Sequence, residues 1–107
     1  MNESVVERLR AQLGGPRDGA LLRFSLANAL IAAGDFDAAC VALRDTLAFD
    51  PDYSAAWKAL GTTLQKIGDP AGAAASWRKG IAVATARGDK QAEKEMQVFL
   101  RRVEKVL

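Results

Sequence analysis

Apolar residues recur along this chain at helical spacing, in stretches separated by glycine-aspartate or proline punctuation. The first stretch places Val5, Val6, Leu9 and Leu13 on one stripe, with Glu7, Arg8, Arg10 and Gln12 between them. This predicts a helix over 2–13, capped by Asn2 or Ser4. The run Gly14-Gly15-Pro16-Arg17-Asp18-Gly19 then breaks it. A second helix is predicted over 18–33, with Leu22, Leu26, Ala29, Leu30 and Ala33 on one face. A third covers 36–48, with Ala39, Val41, Ala42, Leu43, Thr46 and Leu47 as its apolar or small positions, and Asp50-Pro51 ends it. A fourth covers 53–67, with Trp57, Leu60, Gly61 and Leu64. A fifth covers 70–86, with Pro70 in its first turn, where the missing N–H is harmless. The last begins at Asp89 and carries the stripe Ala92, Met96, Phe99, Leu100, Val103, Val106 and Leu107.

The pair Gly34-Asp35 recurs as Gly68-Asp69, an offset of 34 residues. At that offset Leu26 meets Leu60, Leu30 meets Leu64, Ala39 meets Ala73, Arg44 meets Arg78 and Ala48 meets Ala82. A fixed period of this length marks stacked helical repeats. The pair has a physical reading. Glycine takes the left-handed position that stops one helix, and the aspartate carboxylate accepts an orphan N–H at the start of the next. A third pair, Gly88-Asp89, follows the second after 20 residues, one helix rather than one period, and marks the end of the repeat array.

With the residues aligned in this frame, the chain resembles the tetratricopeptide repeat (TPR) family. Trp57, Leu60, Gly61, Leu64, Ala73, Trp77 and Gly80 stand at the large and small positions of that motif. Leu26, Ala27, Leu30, Ala39, Leu43, Thr46 and Pro51 do so one period earlier. Two positions depart from it: Thr85 replaces a proline, and Arg23 replaces a tryptophan. The resemblance implies an all-α, TPR-like right-handed α-α superhelix of about six helices. Its parts are an N-terminal half-repeat (2–13), repeat 1 (20–53), repeat 2 (54–87) and a C-terminal capping helix (89–107), in one domain over 1–107. Ala27 and Gly61 are expected where the two helices of a repeat approach, and Ala39, Ala73 and Gly80 between repeats. Gly72 and Gly80 lie inside a helix and each costs roughly 1 kcal/mol against alanine; packing of a neighbouring helix accounts for Gly80.

Composition narrows the function. Half the residues are hydrophobic and 26% are charged, the balance of a globular protein. A net charge of +2, with charges interspersed, falls short of a nucleic-acid binder. The acidic N-terminal stretch lacks a signal-peptide core, and no apolar run approaches membrane-spanning length. A single cysteine excludes an internal disulfide. The expectation is a soluble cytoplasmic protein.

The family's groove-lining positions fall on Leu21, Phe24, Asn28 and Ile31 in repeat 1 and on Ala55, Lys58, Thr62 and Gln65 in repeat 2, with Ala92, Lys94, Glu95 or Met96 from the final helix. The resemblance therefore implies a peptide or partner helix bound in a concave groove. Phe24 and Ile31 could instead pack against the N-terminal helix, Lys58 could be a solvated lysine, and Trp57 and Trp77 read as core. Some relatives clamp C-terminal carboxylates with lysine and asparagine. Asn28 fits one such position, but Phe24, Ala59, Asp89 and Glu93 occupy others, so the clamp is not supported.

Nothing suggests catalysis. With no histidine, the chain lacks the usual neutral-pH acid–base group and the commonest metal ligand. Cys40 reads as a core thiol and Asp35, Asp69 and Asp89 as caps, so no catalytic, metal or cofactor residues are assigned. Gly14-Gly15 lacks the lysine of a phosphate loop. The reading is a non-catalytic adaptor, co-chaperone or assembly factor. A self-associating subunit using Phe24, Ile31, Val106 and Leu107 is the alternative. Weak nucleic-acid binding through Arg78, Lys79, Arg101, Arg102 and Lys105 is a more distant one.

Overall fold

The computed structural model describes residues 2–107, with side chains described from Val5 onward. The capping roles expected of Asn2 and Ser4 lie outside the described side chains. Six helices appear in order and no strand is found among the described residues: α1 (Asn2–Arg10), α2 (Ala20–Ala32), α3 (Phe36–Phe49), α4 (Ser54–Lys66), α5 (Pro70–Arg87) and α6 (Lys90–Glu104). They fall into two compact units, Met1–Pro51 and Asp52–Leu107.

Each glycine-aspartate pair does what its chemistry dictates. Gly34, Gly68 and Gly88 have φ of 79°, 87° and 75°, the left-handed region where a side chain would be strained. The following aspartates serve two helices at once. Their backbone N–H groups donate to Leu30, Leu64 and Ala84 carbonyls at 2.9 Å, closing the helix behind. Their carboxylates accept from the Ala38, Gly72 and Ala92 N–H groups at 3.4, 2.9 and 3.1 Å, opening the helix ahead.

In the first unit α1 packs on α2 and α2 on α3. Val6, Leu22, Leu26, Ala27, Leu30, Ala39, Cys40, Ala42, Leu43 and Leu47 are buried. Thr46 is buried too, its hydroxyl donating to the Ala42 carbonyl at 2.8 Å, so no polar atom is orphaned there. Helix α1 is shorter than expected. It stops at Arg10, and the chain tightens into turns from Ala11 to Gly14. Asp18, expected inside α2, precedes that helix instead. Its carboxylate accepts from the Gly14 N–H at 2.8 Å, within the turns that lead into α2. Val41, one of the apolar or small positions of α3, is 60% exposed.

In the second unit α4 packs on α5, α5 on α6, and α4 also meets α6. Two glycines decide how closely these helices approach. A Cβ on Gly61 would enter the Trp77 indole, and one on Gly80 would collide with Met96 and with the Trp57 Cβ at 2.9 Å. Trp77 is accordingly sealed at 1% exposure, with its Nε1–H donating to the Lys58 carbonyl at 3.2 Å. The Arg87 guanidinium donates to the Asp52 carbonyl at 2.7 Å, tying the end of α5 to the start of α4. Val106 and Leu107, expected on the apolar stripe of α6, lie beyond its end at Glu104 and are exposed.

Candidate binding faces

In the first unit the expected ligand-facing residues all lie on α2. Leu21 is 70% exposed. Asn28 is exposed, while Phe24 and Ile31 are half-buried. One helical row thus carries an exposed leucine, a half-buried ring and an exposed amide. The same unit holds a cavity of about 370 Å³ lined by Val6, Glu7, Arg10, Leu30, Ala33 and Asp35.

Arg23 on α2, at the position where the motif has tryptophan, organises its own cluster. It donates from Nε and Nη2 to the two carboxylate oxygens of Asp18 at 2.9 and 2.8 Å. Its Nη1 reaches Asp45 on α3 at 3.1 Å, and its guanidinium lies 5.7 Å from the Phe49 ring centroid. The arginine thus substitutes a planar, multiply bonded cation for a flat aromatic, and covers the Phe49 ring as it does so. The Arg23 bonds, and next the Gly14 N–H, hold the Asp18 carboxyl well below the usual carboxylate range. Sequence reasoning registered Arg23 only as a departure from a motif. Asp18, five residues earlier, was a usable signal; Asp45, 22 residues later, was not.

In the second unit Ala55, Lys58 and Thr62 are half-buried on α4, and Gln65 is exposed. Lys58 is not a free anchor: its ammonium sits 3.5 Å from Glu95 on α6. Thr62 donates its hydroxyl to the Lys58 carbonyl at 3.1 Å. Met96 is corrected outright. It is completely buried, its sulfur against Gly80, and belongs to the core rather than to any ligand face. Thr62 and Gln65 do come together, with Trp77, Phe99 and Arg102, around a cavity of about 170 Å³. Phe99 and Arg102 on α6 were absent from the expected site. Their spacing from Glu95, four and seven residues, matches that of Thr62 and Gln65 from Lys58.

Charge is divided between the units. Residues 1–51 carry five basic and seven acidic side chains, and residues 52–107 carry ten and six. The net values are −2 and +4, and every lysine lies in the second unit.

Paired helices closed by left-handed glycines, with small residues receiving large ones, define a helical-repeat protein. Comparison with known proteins names the repeat. A family model described as Tetratricopeptide repeat matches residues 20–63. The TPR repeat-containing protein PA0015 of Pseudomonas aeruginosa is 46% identical over 101 residues, covering 94% of this chain and 96% of that one. The chain belongs to the tetratricopeptide repeat family, whose members are generally protein–protein interaction modules without catalytic activity. The solution structure of protein BPP2914 from Bordetella parapertussis is 51% identical with a TM-score of 0.81, covering 94% of this chain and 88% of that one. A chain of a T3SS complex from Aeromonas hydrophila reaches a TM-score of 0.91 at 15% identity, covering 97% of this chain and 70% of that one; the likeness is of fold alone. No helix among the described residues is long and apolar enough to cross a membrane.

Proposed function

We propose that this protein is a cytoplasmic, non-catalytic adaptor or assembly factor, acting as one TPR-like domain over 1–107 and binding a peptide or partner helix through the first helix of each repeat. The observation that carries this reading is the residue set on α2 and α4. Leu21 is a large apolar side chain held out to solvent at 70% exposure, with the exposed Asn28 on the same helix. Thr62 and Gln65 on α4 border an open cavity with an aromatic floor. Apolar anchors beside amide and hydroxyl groups suit an incoming backbone, which needs both burial and hydrogen bonds. The ligand-facing set is Leu21, Phe24, Asn28, Ile31, Ala55, Lys58, Thr62 and Gln65. Affinity purification of the full chain, followed by the double variant Leu21→Asp/Gln65→Glu, tests it. Retention of the same partners by that variant would remove these faces from the reading.

A homodimer is the second reading. It draws on Val106 and Leu107, exposed at 73% and 58% at the C-terminal end. Sedimentation showing a monomer at high micromolar concentration would dismiss it.

A further inference from the structure

The seam between α4 and α6 in the second unit is built in register. Lys58, Thr62 and Gln65 descend one face of α4, and Glu95, Phe99 and Arg102 descend the facing side of α6. Seven residues of helix advance about 10 Å, the span of roughly three residues of extended chain. The two ends of the seam differ. At one end the Lys58 ammonium is already engaged by Glu95 at 3.5 Å. At the other, Arg102 is exposed and, among the described residues, pairs with no carboxylate. Between them lies the cavity of about 170 Å³, floored by Trp77 and Phe99, whose ring centroids are 5.4 Å apart. The floor is rigid, because Trp77 is wedged on Gly61 and its indole N–H is bonded to Lys58.

We propose that this seam takes an extended partner segment carrying an acidic side chain next to a large apolar one. The apolar side chain enters the cavity over Trp77 and Phe99. The carboxylate lies on the Arg102 guanidinium, with the Gln65 amide as a second donor. Charge complementarity favours this occupant. The unit that holds the seam is net +4, and Arg101, Arg102 and Lys105 are all exposed near this end of α6. Glu95 sets the direction: it satisfies Lys58 and repels a second carboxylate, so the acidic residue belongs at the Arg102 end. The inference rests on the protein being a peptide-binding module and adds the chemistry of the peptide.

The test is peptide phage display on the full chain, with the library fused so that no peptide has a free C-terminus. Selections run on the parent, Arg102→Glu and Leu21→Asp proteins, all with surface substitutions and checked by circular dichroism. The parent should enrich aspartate or glutamate within two residues of a leucine, phenylalanine or methionine. Arg102→Glu should replace that acidic preference by lysine or arginine and keep the apolar one. A winning peptide, acetylated and amidated, should bind Arg102→Gln about tenfold more weakly by calorimetry, the scale of one lost charged hydrogen bond, and Val41→Asp, an exposed position of α3 outside the ligand-facing set, within twofold of the parent. Ligands indifferent to Arg102 but lost in Leu21→Asp would overturn this proposal and leave the general reading standing. A selection that enriches nothing would overturn both.

Discussion

Replacing Gly61 by alanine should destabilise the second unit, against the usual gain of alanine in a helix. In an open helix interior that exchange stabilises by roughly 1 kcal/mol. Here the new Cβ would stand 2.6 Å from Cδ1 and Cε2 of Trp77, and closer still to Nε1. Carbon atoms pack at about 3.5–4 Å, so the indole must withdraw by about 1 Å. It has little room, being 1% exposed and tilted onto Phe99 at 5.4 Å between centroids. Overpacking of this kind costs about 1–3 kcal/mol. Pulling Nε1 off the Lys58 carbonyl leaves a buried donor unpaired, at about 1–3 kcal/mol more. After the helical gain is subtracted, the net loss is about 3 kcal/mol. Urea unfolding followed by tryptophan fluorescence measures it, because both tryptophans, Trp57 and Trp77, lie in the second unit. The midpoint should fall by about 1 M or more. Gly19→Ala is the control: its added Cβ meets nothing within 4 Å, and the midpoint should hold. A Gly61→Ala midpoint equal to or above that of the parent would refute the packing argument.

Leu43→Ala empties a fully buried site in the first unit and should cost about 2–5 kcal/mol; an unchanged thermal midpoint by circular dichroism would contradict that placement. Gly68→Ala meets no atom within 4 Å, so its loss comes wholly from backbone strain at φ 87° and should be about 1–2 kcal/mol by chemical denaturation. Asp89→Ala removes the carboxylate that accepts the Ala92 N–H, and α6 should loosen by about 1 kcal/mol, seen as faster amide exchange in its first turn. Asp18 gives a pH dependence of definite sign. Its folded pKa lies below the unfolded value near 3.8, so its stabilising effect is complete above that value and is lost as pH falls toward the folded one. Arg23→Gln should flatten this part of the urea-midpoint profile below about pH 4; a profile identical to the parent's would sink the assignment.

The helix boundaries were legible because their signals are local. A left-handed glycine, a capping aspartate and the bond between Asp35 and Leu30 all act within six residues. Two helices end three residues early, α6 at Glu104 rather than 107 and α1 at Arg10 rather than 13, and at α1 a local contact accompanies the change. The apolar stripe of α1 continues to Leu13, yet the carboxylate of Asp18 takes the Gly14 N–H and the chain turns before the stripe is complete. The small positions Gly61 and Gly80 were legible as sites of close approach, although not which atom would fill each one.

The candidate faces were only half legible. Periodicity puts Leu21 and Asn28 on one row of α2, and Thr62 and Gln65 on one row of α4, whatever surrounds them. It puts Met96 on the apolar stripe of α6, but it cannot say that Met96 meets Gly80, that Lys58 is engaged by Glu95 37 residues away, or that Arg23 joins Asp18 to Asp45. Helix, cap and repeat follow from interactions a few residues apart, which the order of side chains encodes directly. Which stripe of α6 is core and which meets α4 depends on the angle at which helices pack, and that angle is set jointly by Trp77, Gly61, Gly80 and Met96. The period and its punctuation belong to the chain; the Arg102 seam exists only once those four residues have packed.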